Sequence, residues 1–214
     1  MTWLGKAYLI VIFPLLLVLI AARLVMSPLF LQIEYHLPGF PPDPYGFTLE
    51  DRLTYAPYAV NYLLNGAGID YLADLTFPNG GLLYQADELR HMRDVKTLTQ
   101  IAFGVATVAG LIALADALLL YRRRALRSAL FYGALVTLAM VAAILIVALV
   151  DWDGFFIGFH QLFFESGTWY FPTSDTLIRL FPEQFWFDAS LAIGGITVIT
   201  ALIVLVASWR IKRS

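Results

Sequence analysis

Four long apolar stretches set the pattern of this chain: Tyr8–Leu31, Leu98–Tyr121, Leu126–Val150 and Phe187–Trp209. A hydrocarbon layer about 30 Å thick is crossed by about 20 apolar residues of helix, and each stretch meets that length. The first follows Lys6 and so looks like a signal peptide at its start. Its apolar run is too long for that role and no small-residue cleavage motif follows, so a retained helix, kinked at Pro14, is expected.

The intervening segments carry shorter patterns. Pro38-Gly39-Phe40-Pro41-Pro42-Asp43-Pro44 excludes helix and predicts an extended strap. Thr48-Leu49-Glu50-Asp51 reads as a helix start, and Leu49, Leu53, Ala56, Val60 and Leu64 recur at helical spacing until Asn65-Gly66. Leu75-Thr76-Phe77 and Leu82-Leu83-Tyr84 flank Pro78-Asn79-Gly80-Gly81, the pattern of a small hairpin. A helix starting at Ala86-Asp87-Glu88 is expected to run through His91 into the second span. Residues 154–165 predict an interfacial helix ended by Ser166-Gly167, and Thr173-Ser174-Asp175 a cap for a short helix over Thr176–Phe181. The expected fold is an all-α integral membrane protein. It is one domain over 1–214, a four-transmembrane-helix bundle with an extracytoplasmic cap of short helices and a small hairpin.

Charge supplies the orientation. Lys6, then Arg122, Arg123, Arg124 and Arg127, then Arg210, Lys212 and Arg213 occupy one set of span ends, with no acid among them. The positive-inside rule places both termini in the cytoplasm of a multi-pass cell-membrane protein. The loops at 32–97 and 151–186 hold most of the acids and are expected outside. Composition agrees: 60% of residues are hydrophobic and 14% charged, against about 25% charged in soluble domains. A net charge of -2 argues against nucleic acid as a partner. The chain has no cysteine, which excludes disulfides, thiolate catalysis and thiolate metal sites.

The three histidines, His36, His91 and His160, all fall on the outer side. Imidazole titrates nearest neutral pH and is the usual general base. Asp87 and Asp94 stand four before and three after His91, so either acid can share its helix face. His160 sits among phenylalanines. Taken singly, each histidine has the plainer reading of an interfacial side chain satisfied by a carboxylate or water. Arg179 is a candidate oxyanion or headgroup partner, with a salt bridge to Asp175 or Glu183 as the plainer reading. Glu88 and Asp94 either orient His91 or face water. Tyr84 and Tyr170 are candidate donors or interface anchors. Asp116 is expected to pair with Arg122 or Arg123.

Two longer words carry a resemblance. One is Asp87-Glu88-Leu89-Arg90-His91-Met92-Arg93-Asp94-Val95-Lys96, leading into the second span. The other is Phe159-His160-Gln161-Leu162-Phe163-Phe164, then Trp169, then Asp175 to Trp186. Together and in this order they resemble the bacterial four-helix membrane family that includes the lipoprotein intramolecular transacylase. The resemblance implies a membrane acyltransferase acting on a diacylglyceryl lipoprotein among membrane lipids. An acyl chain would pass from glycerol to the N-terminal amine, with no cofactor and no metal. His91 is then the expected base and His160 its partner, while Asp94, Glu88, Asp87, Arg179, Tyr84 and Tyr170 are supporting candidates. Two alternatives stay open: a non-catalytic lipid- or protein-binding membrane protein, and a metal site built from the histidines and nearby carboxylates. No paired-histidine ligand spacing favours the latter.

Overall fold

The computed structural model describes residues 2–210; Lys212 and Arg213, two of the basic residues expected after the last span, lie outside them. The described residues form helices α1 (Thr2–Val25), α2 (Pro28–Tyr35), α3 (Leu49–Leu64), α4 (Asp70–Ala73) and α5 (Ala86–Arg122). They continue with α6 (Leu126–Val150), α7 (Trp152–Phe163), α8 (Thr176–Leu180) and α9 (Glu183–Arg210). Helices α1, α5, α6 and α9 are long and apolar enough to cross a membrane.

The first span departs from its expected length. Apolar residues continue to Leu31, yet the helix stops at Val25. Ser27 turns extended and its hydroxyl accepts from Phe30 N, while Pro28 takes the first position of α2. Proline has no N–H to continue a helix but fits its first turn, so Ser27-Pro28 ends one helix and opens another.

The chain divides into two compact units. The first comprises the residues up to Arg23, Ala102–Trp152, and the chain from Leu191 onward. Small residues let its helices approach closely. Gly133 of α6 lies against Phe13, where an added Cβ would sit 3.2 Å from the ring and its Cβ. Gly194 of α9 is similarly close to Leu145. Tyr8 donates to the Ala109 carbonyl at 2.8 Å, satisfying a hydroxyl that has no water to turn to. Asp116 packs against Gly5 of α1. Arg127 Nε and Nη2 donate to the carbonyls of Ser208 and Trp209, closing the last turn of α9.

The second unit, Leu24–Ile101 with Asp153–Ser190, is held by polar contacts at helix ends. The expected helix start at Thr48 is a capping box on α3, the Thr48 hydroxyl accepting from Asp51 N and the Asp51 carboxylate from Thr48 N. At its other end, Lys96 Nζ donates to Asn65 Oδ1 and the Ala67 carbonyl and lies 4.0 Å over the Tyr62 ring. The expected hairpin is reduced to one antiparallel bridge, Thr76 to Leu82, with Gly80 at φ +85° making the turn. Two arginines clamp the strap. Arg52, buried on α3, donates to the Pro41 and Arg179 carbonyls, and Arg179 grips Asp43.

Helix α8 is capped from a distance. Asp175 occupies its N-cap position without a side-chain bond to the helix. The fully buried Glu88 of α5 instead accepts from Leu177 N through Oε1 and from Gln85 N through Oε2, both at 2.7 Å. One carboxylate therefore satisfies orphan N–H groups at two helix starts. The Leu83 carbonyl also accepts from the Thr176 hydroxyl.

Two stability outcomes follow. Glu88→Gln leaves one of those N–H groups facing an amide NH2 and should cost about 1–3 kcal/mol, read as a lower unfolding temperature in detergent. Gly133→Leu should cost about 1–3 kcal/mol by overpacking against Phe13, whereas Gly104→Leu, at a position with open space, should leave the unfolding temperature unchanged or higher.

Candidate functional site

The site lies within the second unit, where the start of α5 meets α7 and the loop after it. His91 is on the polar turns of α5 that precede the membrane-crossing stretch from about Leu98. Its ring centroid is 5.1 Å from Phe164, 5.5 Å from Phe171 and 6.3 Å from His160. The two imidazole planes are 24° from parallel. His91 Nδ1 is buried and has no hydrogen-bond partner. Asp87 and Asp94 are both exposed. Asp87 accepts from Glu88 N, and neither acid bonds to the imidazole.

His160, one turn from the end of α7, has its Nδ1 2.8 Å from the Phe156 carbonyl. A carbonyl only accepts, so Nδ1 carries the proton and Nε2 is left with its lone pair. Around the ring stand Phe156 at 4.2 Å, Trp169 at 4.7 Å, Phe159 at 5.6 Å and Phe164 at 5.7 Å.

Aromatic walls set the electrostatics. Burial, and then the neighbouring His160, depresses His91 to about 4. Burial also lowers His160, against the raising effect of the Phe156 carbonyl. Both rings are therefore neutral at pH 7 and can act as proton acceptors. One turn before His91, burial pushes Glu88 up to about 7, while its two backbone N–H donors pull the other way and Asp175 and Asp87 add to the rise.

The remaining expected residues are placed elsewhere. Arg179 does not pair with Asp175 or Glu183. Its Nε and Nη2 reach Asp43 Oδ2 at 3.1 and 2.9 Å, and its guanidinium lies 3.5 Å over the Phe47 ring. Those bonds hold Asp43 below the usual carboxylate range despite its burial. Glu88 is a cap rather than a partner of His91. Tyr84 is buried, its hydroxyl has no partner, and burial with Glu88 nearby raises its phenol. Tyr170 is 81% exposed. His36 is exposed, with Nδ1 2.6 Å from the Gln32 carbonyl. Among the described residues no three His, Asp or Glu side chains gather as metal ligands. The histidines face phenyl rings, a poor second set of donors for a cation.

Sequence reasoning did not single out Trp169 as part of the site, although it stood in the quoted word. It also passed over Phe171 as a wall of the His91 pocket and Glu34, a buried acid. Burial, then the adjacent Asp188, pushes Glu34 up to about 7.

Comparison with known proteins accords with this architecture. The model of the family "Lipoprotein intramolecular transacylase Lit" matches residues 7–186. An uncharacterized protein of Aquifex aeolicus (strain VF5) is 28% identical over 197 residues, covering 92% of this chain and 89% of that protein. The in meso structure of Lit from Bacillus cereus superposes with a TM-score of 0.81 at 19% identity, over 99% of each chain. A variant of that protein with a histidine replaced by arginine gives 0.76 at 18% identity, over 98% of this chain and 91% of that one. At such identities the structures speak for the fold, and the family model, spanning most of the chain, for kinship. The chain belongs to the lipoprotein intramolecular transacylase family.

Proposed function

We propose that this protein moves an acyl chain from glycerol to the N-terminal amine of a diacylglyceryl lipoprotein, with His91 as base and His160 as its partner. The second unit would face the outer side of the membrane, with both chain ends in the cytoplasm, as the basic span ends indicate. The observation that carries this reading is the pair of neutral imidazoles, 6.3 Å apart, brought together in an aromatic pocket by α5 and α7.

The chemistry is ester aminolysis. The amine lone pair attacks the ester carbonyl, a C–N bond forms, and the carbonyl electron pair moves onto oxygen. His91 takes the proton that the nitrogen loses. The intermediate then collapses, the C–O bond to glycerol breaks, and the leaving oxygen receives that proton. With the ring centroids 6.3 Å apart, a bridging water donating to His160 Nε2 would let that ring orient His91 or relay its proton. A base held near 4 keeps a proton only weakly, which favours handing it on to an alkoxide. Ester and amine belong to one molecule, so holding them together supplies much of the rate without a covalent enzyme intermediate. The aromatic side chains suit an acyl-bearing substrate drawn from the bilayer.

The low basicity of His91 also assigns the pH dependence. A free α-ammonium has a pKa of about 8 and is too weak an acid to be deprotonated by such a base in advance, so the amine must arrive neutral. kcat/KM should therefore rise with pH through about 8, following the amine, with no further acidic limb near 6.5. A limb at 6.5 that vanishes in a histidine variant would show that burial does not depress the ring.

The direct test uses purified protein in lipid with a synthetic diacylglyceryl lipopeptide. Substrate and product are isomers of equal mass, so tandem mass spectrometry must locate the acyl group. Wild type should yield the N-acyl, monoacylglyceryl product. His91→Ala should lower the rate at least about 100-fold with the unfolding temperature little changed. Full activity of His91→Ala would remove it as the base, and a wild type that leaves the amine free would remove the reaction itself.

A further inference from the structure

Acyl transfer requires a donor for the oxyanion as well as a base; His91 is assigned as the base, and the one N–H of neutral His160 is committed to the Phe156 carbonyl. The obvious cations are committed elsewhere. Arg179 spends Nε and Nη2 on Asp43 and the Tyr45 carbonyl. Arg52 is fixed on the carbonyls of Pro41 and Arg179. Tyr170 is largely in the open, and the Tyr84 hydroxyl, although also buried without a partner, has Glu88 and Tyr35 as its electrostatic neighbours. The indole of Trp169 differs from all of these. Its ring centroid is 4.7 Å from that of His160, at 32° between planes, and its Nε1 is buried without a hydrogen-bond partner. Indole N–H donates only, and it carries no charge that the apolar walls would penalise. The same pocket holds a second unpartnered buried atom, His91 Nδ1. One idle donor and one idle nitrogen thus belong to two rings that both neighbour His160.

We propose that Trp169 is a catalytic residue whose indole N–H donates to the ester carbonyl oxygen as it becomes the tetrahedral oxyanion. The assignment rests on the acyl-transfer reading above and adds the missing donor to it. The indole keeps its proton throughout; the negative charge forms on the carbonyl oxygen as the C–N bond closes and is discharged when the C–O bond to glycerol breaks. A preorganised donor in a dry pocket needs no reorientation as charge develops, which makes its removal costly.

The test separates the N–H from the ring. Trp169→Phe, and a benzothienylalanine replacement in which sulfur takes the place of the N–H, are assayed with the lipopeptide. Both should lower kcat about 100-fold or more with KM and the unfolding temperature little changed, and the sulfur isostere should be as impaired as phenylalanine. Retained kcat in the isostere, or a loss confined to KM, overturns the assignment. A second arm does not need turnover. A phosphonate analogue of the tetrahedral intermediate is added to 15N-labelled wild type and the Trp169 indole resonance is followed. A downfield shift of the N–H proton supports the assignment, and an unmoved resonance at saturating analogue refutes it. An inactive wild type would contradict the acyl-transfer reading, and the phosphonate arm would still decide the donor.

Discussion

Two imidazoles stand among phenyl and indole rings with no carboxylate beside them, and most of the proposed chemistry follows from that. A charged ring in such surroundings loses its hydration and gains no partner, so both stay neutral at pH 7. Neutrality leaves a lone pair on His160 Nε2 once Nδ1–H is spent on the Phe156 carbonyl. It also makes the pocket compatible with acyl chains, which a charged or metal-bearing site would repel by holding water. The cost of the arrangement is weak basicity, acceptable only because the nucleophile is an amine that is appreciably neutral on its own.

Holding the rings in place falls to polar contacts that are themselves buried. Glu88 is the central one: it takes N–H groups from the starts of α5 and α8 and lies one helical turn before His91. Arg52 and Arg179 bind the strap at Pro41 and Asp43, and Lys96 closes the end of α3. No residue of α7, which carries His160, is fully buried. The proposed base thus sits on a firmly anchored helix and its proposed partner on one held chiefly by aromatic contacts.

Much of this was legible in the sequence. The four spans declare themselves by length and composition, and Thr48 with Asp51, or Asn65 after Leu64, mark helix ends through purely local chemistry. The break at Val25 was hidden because apolar residues run on to Leu31, and only Ser27-Pro28 betrayed it. Long-range polar pairs were not legible: Arg179 had nearer acids in Asp175 and Glu183, yet the strap brings Asp43 to it. Glu88 was expected either to orient His91 or to face water, but an unsatisfied N–H at Leu177 claims the carboxylate. Trp169 was in view as one aromatic among many, and nothing in spacing reveals which indole N–H ends up buried beside an imidazole.

The neutral pair is most directly examined by 15N NMR of selectively labelled histidine in the protein reconstituted in lipid, titrated from pH 8 to 5. His91 should keep the shifts of a neutral ring across that range, and His160 should keep its Nδ1-protonated tautomer at pH 7. Protonation of His91 with a midpoint near 6.5 would contradict the account, because the ring would then be solvated or paired rather than enclosed by apolar walls.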